Sequence, residues 1–216
     1  EDINKKAIIY EKDNGEIETF SFGEIEKLAT GLAIKLTHLG YGFGDNIAVH
    51  TGQHPDTAIA HMAICKIGGI AVTLSQLYGP ETLKHAMNDC RVEVILTSNK
   101  VWGNLRNIKG NAFPFLKHII LREPKNNEIS LEDAYLSRDN NFKPFYSKAN
   151  DPALLMYTSG STGKPKGILH GHRVLASYKP SINLFFNLSM QEEGSVFWSP
   201  SDWSWVGGLL DMMFPA

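Results

Sequence analysis

Two hydrophobic periods take turns along the chain. "AIIYEKDNGEIETFSF" carries two β-prone runs around Asp13, Asn14 and Gly15, a strong turn signal, and predicts a hairpin. In "SFGEIEKLATGLAIKLTHLG" the residues Ile25, Leu28, Leu32, Leu36 and Leu39 recur at helical spacing. Ser21 and Glu24 form the capping-box pattern that opens a helix, and Gly40 is its expected stop. "GDNIAVHT" then predicts a short buried strand. "HPDTAIAHMAICKIGG" predicts a helix opened by Pro55 and closed by a glycine pair. Strand "IAVTLS", helix "GPETLKHAMNDC" and strands in "VEVILTS" and "PFLKHIILRE" continue the alternation. Short apolar strands alternating with helices predict an α/β fold, a mostly parallel sheet covered by helices on both faces.

From Glu123 to Asp151 the chain turns polar and irregular, which predicts a surface excursion with one helical turn at "LEDAYL". This stretch divides an α/β portion, 1–150, from a second portion, 151–216, that carries a glycine-rich loop. That second portion reads as strand "ALLMYT", the loop, strand "KGILH" and helix "HRVLASYKPSINLFF", which Pro180 should kink or break. "GSVFWSP" reads as a further strand, and "WSWVGGLLDMMF" as the start of a helix.

The composition of the 216 residues, 43% hydrophobic and 20% charged, is that of an ordinary globular chain. A net charge of −2 offers no basic field for nucleic acid or an anionic membrane. No apolar run approaches the roughly 20 residues of a membrane span. Cys65 and Cys90 form no CxxC pair, and the start has no signal-peptide pattern, so a reducing, cytoplasmic setting is expected. The chain lacks an initiating Met and stops inside the apolar "WVGGLLDMMFPA", so it is expected to be a piece of a longer protein.

The candidate chemistry sits in "YTSGSTGKPKG", Tyr157 to Gly167. It is not a Walker loop: Thr158 stands where the first glycine belongs, and Pro165 follows Lys164 where a Ser or Thr would bind Mg²⁺. The strand-like "KGILH" after it, in place of a helix, predicts a loop between two strands. Its backbone amides and the hydroxyls of Thr158, Ser159, Ser161 and Thr162 can donate to phosphate oxygens. The plain rival is a flexible surface hairpin of small residues; two lysines around a proline beside four hydroxyls weigh against it.

Every position of this stretch matches the signature [small/hydroxyl]-S-G-[ST]-T-G-x-P-K-G, and the chain resembles the adenylate-forming superfamily: acyl-coenzyme A synthetases, luciferases and the adenylation domains of peptide synthetases. "ETFSFGEIEKLATGLA" and "AICKIGGIAVTLS" resemble two weaker family motifs in the expected order, so the resemblance covers nearly the whole chain. "ILHGH" and "SPSDWSWVGGL" look most like the acetate-type and medium-chain acyl-coenzyme A synthetases. The resemblance implies part of a large N-terminal domain of a two-step ligase. A carboxylate attacks the α-phosphate of Mg·ATP, pyrophosphate leaves, and the acyl group passes to coenzyme A. It implies that Thr158, Ser159, Gly160, Ser161, Thr162 and Gly163 contact the β- and γ-phosphates and that Lys166 supports the loop or the phosphates, with Lys164 at a variable position. It sets Trp205 and Gly207 at the acyl pocket; the rival for Trp205 is a place in the core. Leu209 stands where the family stretch ends in His.

The same resemblance puts the adenine pocket, the Mg²⁺-engaging Glu, the adenylation lysine and the C-terminal lid domain outside these residues, so this chain alone is expected to be inactive. A non-catalytic nucleotide- or acyl-binding module, and an adenylating enzyme delivering to a carrier protein, remain as alternatives. His54, His61 and Cys65 share one helical stripe but have no carboxylate among them, which weighs against a metal site. His170 and His172 flank Gly171 near the polar loop, where phosphate or substrate proximity competes with a solvated or capping role.

Overall fold

The computed structural model describes residues 2–105, 112–158, 163–189, 192 and 194–215. Strands β1 (Lys6–Glu11) and β2 (Ile17–Ser21) pair antiparallel as the expected hairpin and form a sheet of their own. Ser21 then caps α1 (Phe22–His38): its Oγ accepts the Glu24 N–H at 3.2 Å, and the Glu24 carboxylate accepts the Ser21 N–H at 2.7 Å. Both orphan amides are thereby satisfied at the helix start.

The main sheet has seven strands in the order β7-β6-β5-β3-β4-β8-β9. They are β3 (Asn46–His50), β4 (Ile70–Thr73), β5 (Val94–Thr97), β6 (His118–Leu121), β7 (Ile129–Ser130), β8 (Pro152–Thr158) and β9 (Lys166–Gly171). All pairings are parallel except that of β8 with β9. Helices α2 (Pro55–Lys66), α3 (Pro80–Asp89), α4 (Asn99–Leu105) and α5 (Leu131–Tyr135) provide cover. Strand side chains alternate between the faces. Ile47, Val49, Val94, Leu96 and Leu154 join α1, α2 and α5 in one core. Ala48, Val72, Ile95 and Leu121 join α3 and α4 in the other. This is the expected mostly parallel sheet with helices on both faces, and the double burial explains why its strands read as unbroken apolar runs.

In the second portion one helix continues past its proline and one expected strand is absent among the described residues. Helix α6 (Arg173–Phe185) runs through Pro180 without breaking. Proline costs the Ala176 carbonyl its helical partner, but both residues are on the exposed side, where water can take that bond. The strand expected over "GSVFWSP" does not form: the segment pairs with no strand among the described residues, and Val196 and Trp198 remain 73% and 80% exposed. Beyond it, α7 (Val206–Gly208) and one π-type turn, Leu209–Met213, end the described structure. Sequence reading also missed α4 and the two-residue β7.

One buried carboxylate ties three elements together. Asp56 of α2 receives Arg122 in two bonds of 2.8 and 2.7 Å and the Tyr135 hydroxyl at 2.7 Å. The His54 ring nitrogen lies 3.0 Å from the same carboxylate. Burial alone would raise the Asp56 pKa, but the contacts with His54 and Arg122 outweigh it and hold the carboxyl well below the usual range. Arg122→Met should lower the unfolding free energy by about 3 kcal/mol, the low end for breaking a buried pair because Arg122 is itself partly exposed. Tyr135→Phe should cost about 1 kcal/mol. Urea unfolding at neutral pH reads both. The depressed pKa makes this contribution whole above the unfolded carboxylate value of about 3.9 and lets it fade as pH falls below that. The stability gap between the native protein and Asp56→Asn should therefore shrink in acid; a gap that is flat with pH would contradict the ion-pair account.

Candidate active site at the carboxyl edge of the sheet

Parallel strands release their connections at one edge, and in open α/β sheets that edge is where ligands bind. Here β3, β4 and β8 end side by side. Strand β8 passes into the signature loop at Thr158, and the chain returns as β9 at Lys166, directly opposite Thr158 in the antiparallel register. The loop therefore joins two strands, as the sequence predicts, and Gly163 to Pro165 lead into a strand, where a Walker loop would lead into a helix. Ser159, Gly160, Ser161 and Thr162 lie outside the described residues. Thr158, Lys164 and Lys166 are solvent-facing at the neck of the hairpin.

The neck is fastened from below. His85 of α3 donates from Nε2 to the Pro165 carbonyl at 2.8 Å; a carbonyl only accepts, so this nitrogen carries the proton. The Tyr157 hydroxyl donates to Asp89 Oδ2 at 2.8 Å, and the Tyr78 hydroxyl donates to the Tyr157 carbonyl at 3.2 Å. Burial and the bond to Asp89 push the Tyr157 pKa far up, so its phenol stays protonated. The last glycine of the signature has a packing reason: a Cβ on Gly167 would lie 3.1 Å from Leu155 Cδ1 and 3.2 Å from Tyr157 Cζ.

A second segment, 199–209, is held over the same edge. Gln53, just past β3, donates from Nε2 to the carbonyls of Ser199 and Ser201 at 3.1 and 2.6 Å. Ser75, just past β4, donates from Oγ to Asp202 Oδ2 at 2.6 Å, while Asp202 Oδ1 accepts the Ser204 N–H at 2.9 Å. Beneath them His50 is fully buried, with Nε2 3.2 Å from the Ser75 carbonyl. Burial pushes its pKa down to about 4 against the pull of Ser75 and Asp202, so the ring is neutral at pH 7. Trp205 is 43% exposed and edge-on to Tyr78, with ring centroids 6.4 Å apart. It is a surface residue beside the loop strand, not a core tryptophan. Gly207 has open space, its nearest neighbour to a Cβ being Asp211 Oδ2 at 3.8 Å. The glycine the packing requires is Gly208, where a Cβ would lie 2.8 Å from both the Asp202 carbonyl carbon and Ser201 O.

Gln53, Ser75 and Tyr78 escaped the sequence reading because no motif joins them, whereas Asp202 lies in the stretch that resembles the family motif. The available signal was positional: Gln53 and Ser75 are polar residues within three positions of the ends of two buried strands. The histidine pairs resolve differently. His170 pairs with Leu154, near the other end of β8 from Thr158, so it does not border the loop. His54 sits at the N-cap of α2, with Nδ1 3.2 Å from the Asp56 amide nitrogen and 3.0 Å from its carboxylate. Among the described residues no three His, Cys, Asp or Glu side chains converge as a metal site.

Gly208→Ala should destabilise by about 1–3 kcal/mol, the usual cost of overpacking, and should raise hydrogen exchange at the Trp205 amide. Gly207→Ala should stay within about 0.5 kcal/mol. Thermal unfolding and exchange of both variants check this, and equal behaviour would mean that the Gly208 contact is not tight.

The model of the AMP-binding enzyme family matches residues 1–216. An acetyl-coenzyme A synthetase of Gemmatimonas aurantiaca is 28% identical over 95% of this chain and 34% of its own length. Among solved structures, an acyl-CoA synthetase of Brucella canis aligns with a TM-score of 0.82 at 16% identity, over 98% of this chain and 39% of that one. ATP-bound MatB of Rhodopseudomonas palustris aligns with a TM-score of 0.79 at 22% identity, over 99% and 40%. At these identities the structural likeness establishes the fold, and the chain spans about a third of the length of the curated relatives it matches. With the complete signature on a strand-to-strand loop and a family match along its whole length, the chain belongs to the AMP-binding enzyme family, the adenylate-forming group that its loop resembles.

Proposed function

We propose that the chain is the phosphate-loop portion of an acyl-coenzyme A synthetase, which activates a carboxylic acid with Mg·ATP to an acyl-adenylate and pyrophosphate and then transfers the acyl group to coenzyme A. The observation that carries this reading is the complete signature loop on a β8–β9 hairpin at the carboxyl edge of the sheet. Coenzyme A is favoured over a carrier protein as acceptor by the names of the relatives, acetyl-coenzyme A synthetase and acyl-CoA synthetase, and ATP by the nucleotide bound to MatB. The substrate carboxylate supplies its own nucleophile, so the protein's task in the first step is electrostatic.

The residues at the hairpin fit a polyphosphate. Thr158 and Lys166 face each other across the neck, and both are solvent-facing. In this reading the hydroxyls and amides of Thr158, Ser159, Gly160, Ser161, Thr162 and Gly163 donate to the β- and γ-phosphates, and Lys166 adds positive charge. Trp205 and Gly207 line the acyl pocket. Mg²⁺ is assigned to a carboxylate elsewhere in the longer protein. The reaction belongs to that longer protein, and this chain alone should give no carboxylate-dependent pyrophosphate exchange.

Negative charge on the pyrophosphate grows as it leaves, so donors to it bind the transition state better than the ground state. In the full-length protein, Thr162→Ala and Lys166→Ala should each slow adenylation by about 10-fold to 100-fold, the low end for removing a charge-stabilising donor because the neck is exposed. Lys164→Ala should cost much less. The thioester half-reaction, started from preformed acyl-adenylate, should be nearly unchanged. Single-turnover kinetics of each half decides, and equal losses in both halves would remove the pyrophosphate role. Pyrophosphate exchange across carboxylates of increasing chain length would identify the acid.

A further inference from the structure

The turn between β4 and α3 touches both walls of the candidate site. Ser75, two residues past β4, is fully buried. Its Oγ accepts the Leu77 N–H at 3.1 Å and donates to Asp202 Oδ2 at 2.6 Å. Its carbonyl accepts the Tyr78 N–H at 3.1 Å and the His50 Nε2–H at 3.2 Å. The Leu74 N–H donates to the Val49 carbonyl at 3.0 Å and carries the β3–β4 ladder one residue past the strand. The turn therefore cannot shift without breaking bonds to β3 and to segment 199–209.

Tyr78 stands on this turn. Its hydroxyl donates to the Tyr157 carbonyl at 3.2 Å, and its ring meets Trp205 with centroids 6.4 Å apart and planes at 75°. Burial, and then the charge of Asp202, push the Tyr78 pKa up, so the phenol stays protonated at neutral pH and remains a donor. The Tyr157 carbonyl shares a planar peptide with the Thr158 nitrogen, so a bond to that oxygen orients the start of the signature's hydroxyl run. A tyrosine has only two side-chain torsions, which makes it a spacer of nearly fixed length. The other supports act on one wall each: His85 and Asp89 on the hairpin, Gln53 and Ser75 on segment 199–209. Tyr78 meets the root of the loop with its hydroxyl and Trp205 with its ring.

We propose that Tyr78 is a positioning residue: it fixes the spacing between the signature hairpin and the Trp205 segment, and so aligns a carboxylic acid with the α-phosphate of ATP. The alignment rests on the proposed ligase reaction, whereas the spacing rests on the two contacts of Tyr78 alone. Reacting atoms must be held about 3–3.5 Å apart, and a misplacement of about 1 Å costs on the order of 10²-fold in rate. A spacer between the two substrate walls therefore acts on the rate without touching either substrate.

Three variants of the full-length protein separate the contacts. Tyr78→Phe removes the hydroxyl and keeps the ring, Tyr78→Leu removes both, and Gln53→Leu frees segment 199–209 alone. Amide hydrogen exchange needs no turnover. At the hairpin neck, residues 156–158 and 166–167, it should rise about 2-fold to 10-fold in Tyr78→Phe and Tyr78→Leu, the scale of one hydrogen bond, and not in Gln53→Leu. At 199–209 it should rise in Tyr78→Leu and Gln53→Leu and not in Tyr78→Phe. Single-turnover adenylation should fall about 10-fold in Tyr78→Phe at an unchanged half-saturating acid concentration. Tyr78→Leu should also raise that concentration. Acyl transfer from preformed acyl-adenylate should be nearly unchanged in both. Unaltered neck exchange in both Tyr78 variants, a rise spread equally over β5 and β6, or adenylation and acyl transfer falling together would overturn the proposal. A wild-type protein without carboxylate-dependent pyrophosphate exchange would instead end the ligase reading and the alignment drawn from it, while hydrogen exchange would still decide the spacing.

Discussion

The direction of β8 governs everything at the candidate site. Its parallel pairing with β4, Leu154 beside Ala71 and Met156 beside Thr73, fixes which edge of the sheet Thr158 must leave from. Its antiparallel pairing with β9 on the other side then returns the chain at once, so Lys166 arrives opposite Thr158. Reverse the first and the loop would open at the edge away from Gln53, Ser75 and Asp202. Lose the second and Lys166 would not arrive opposite Thr158. One strand with unlike neighbours thus assembles groups that the sequence keeps apart.

Much of this was legible beforehand. The capping pair Ser21 and Glu24 predicts the start of α1 because a cap is local chemistry, complete within four residues. The core strands were legible because burial on both faces leaves their middle positions apolar. Elements escaped where that logic lapses. Strand β7 is two residues at the sheet edge inside a polar stretch, too short to show a period. Residues 194–200 show an apolar pattern but pair with no strand among the described residues, since a strand needs a partner that its own sequence does not name. The loop was legible from its run of glycines and hydroxyls. Its supports, His85, Tyr78 and Asp89, were not, because they meet the hairpin only through the tertiary fold.

The protein also separates its two uses of charge. Asp56 is buried and saturated by Arg122, Tyr135 and His54, and its charge holds α2, α5 and the end of β6 in one arrangement. Lys164 and Lys166 remain in water beside the loop. The histidine beneath that edge, His50, is neutral through burial and adds no competing charge. Charge used for holding is desolvated and paired, whereas the lysines flanking the signature loop stay hydrated.

The pairing of β4 with β8 has a consequence for how the chain reaches its native state. The two strands are far apart in sequence, with α3, β5, β6 and the polar excursion between them. Closing so long a loop gives no return until the distant partner docks, which makes such pairings slow. On a ribosome, β3 to β6 emerge and can associate while β8 is still unmade. The edge of β4 must then wait as an open row of backbone donors and acceptors beside buried apolar side chains, the kind of template that invites mispairing. The strand that delivers the signature loop is therefore also the one that seals this edge of the sheet during synthesis.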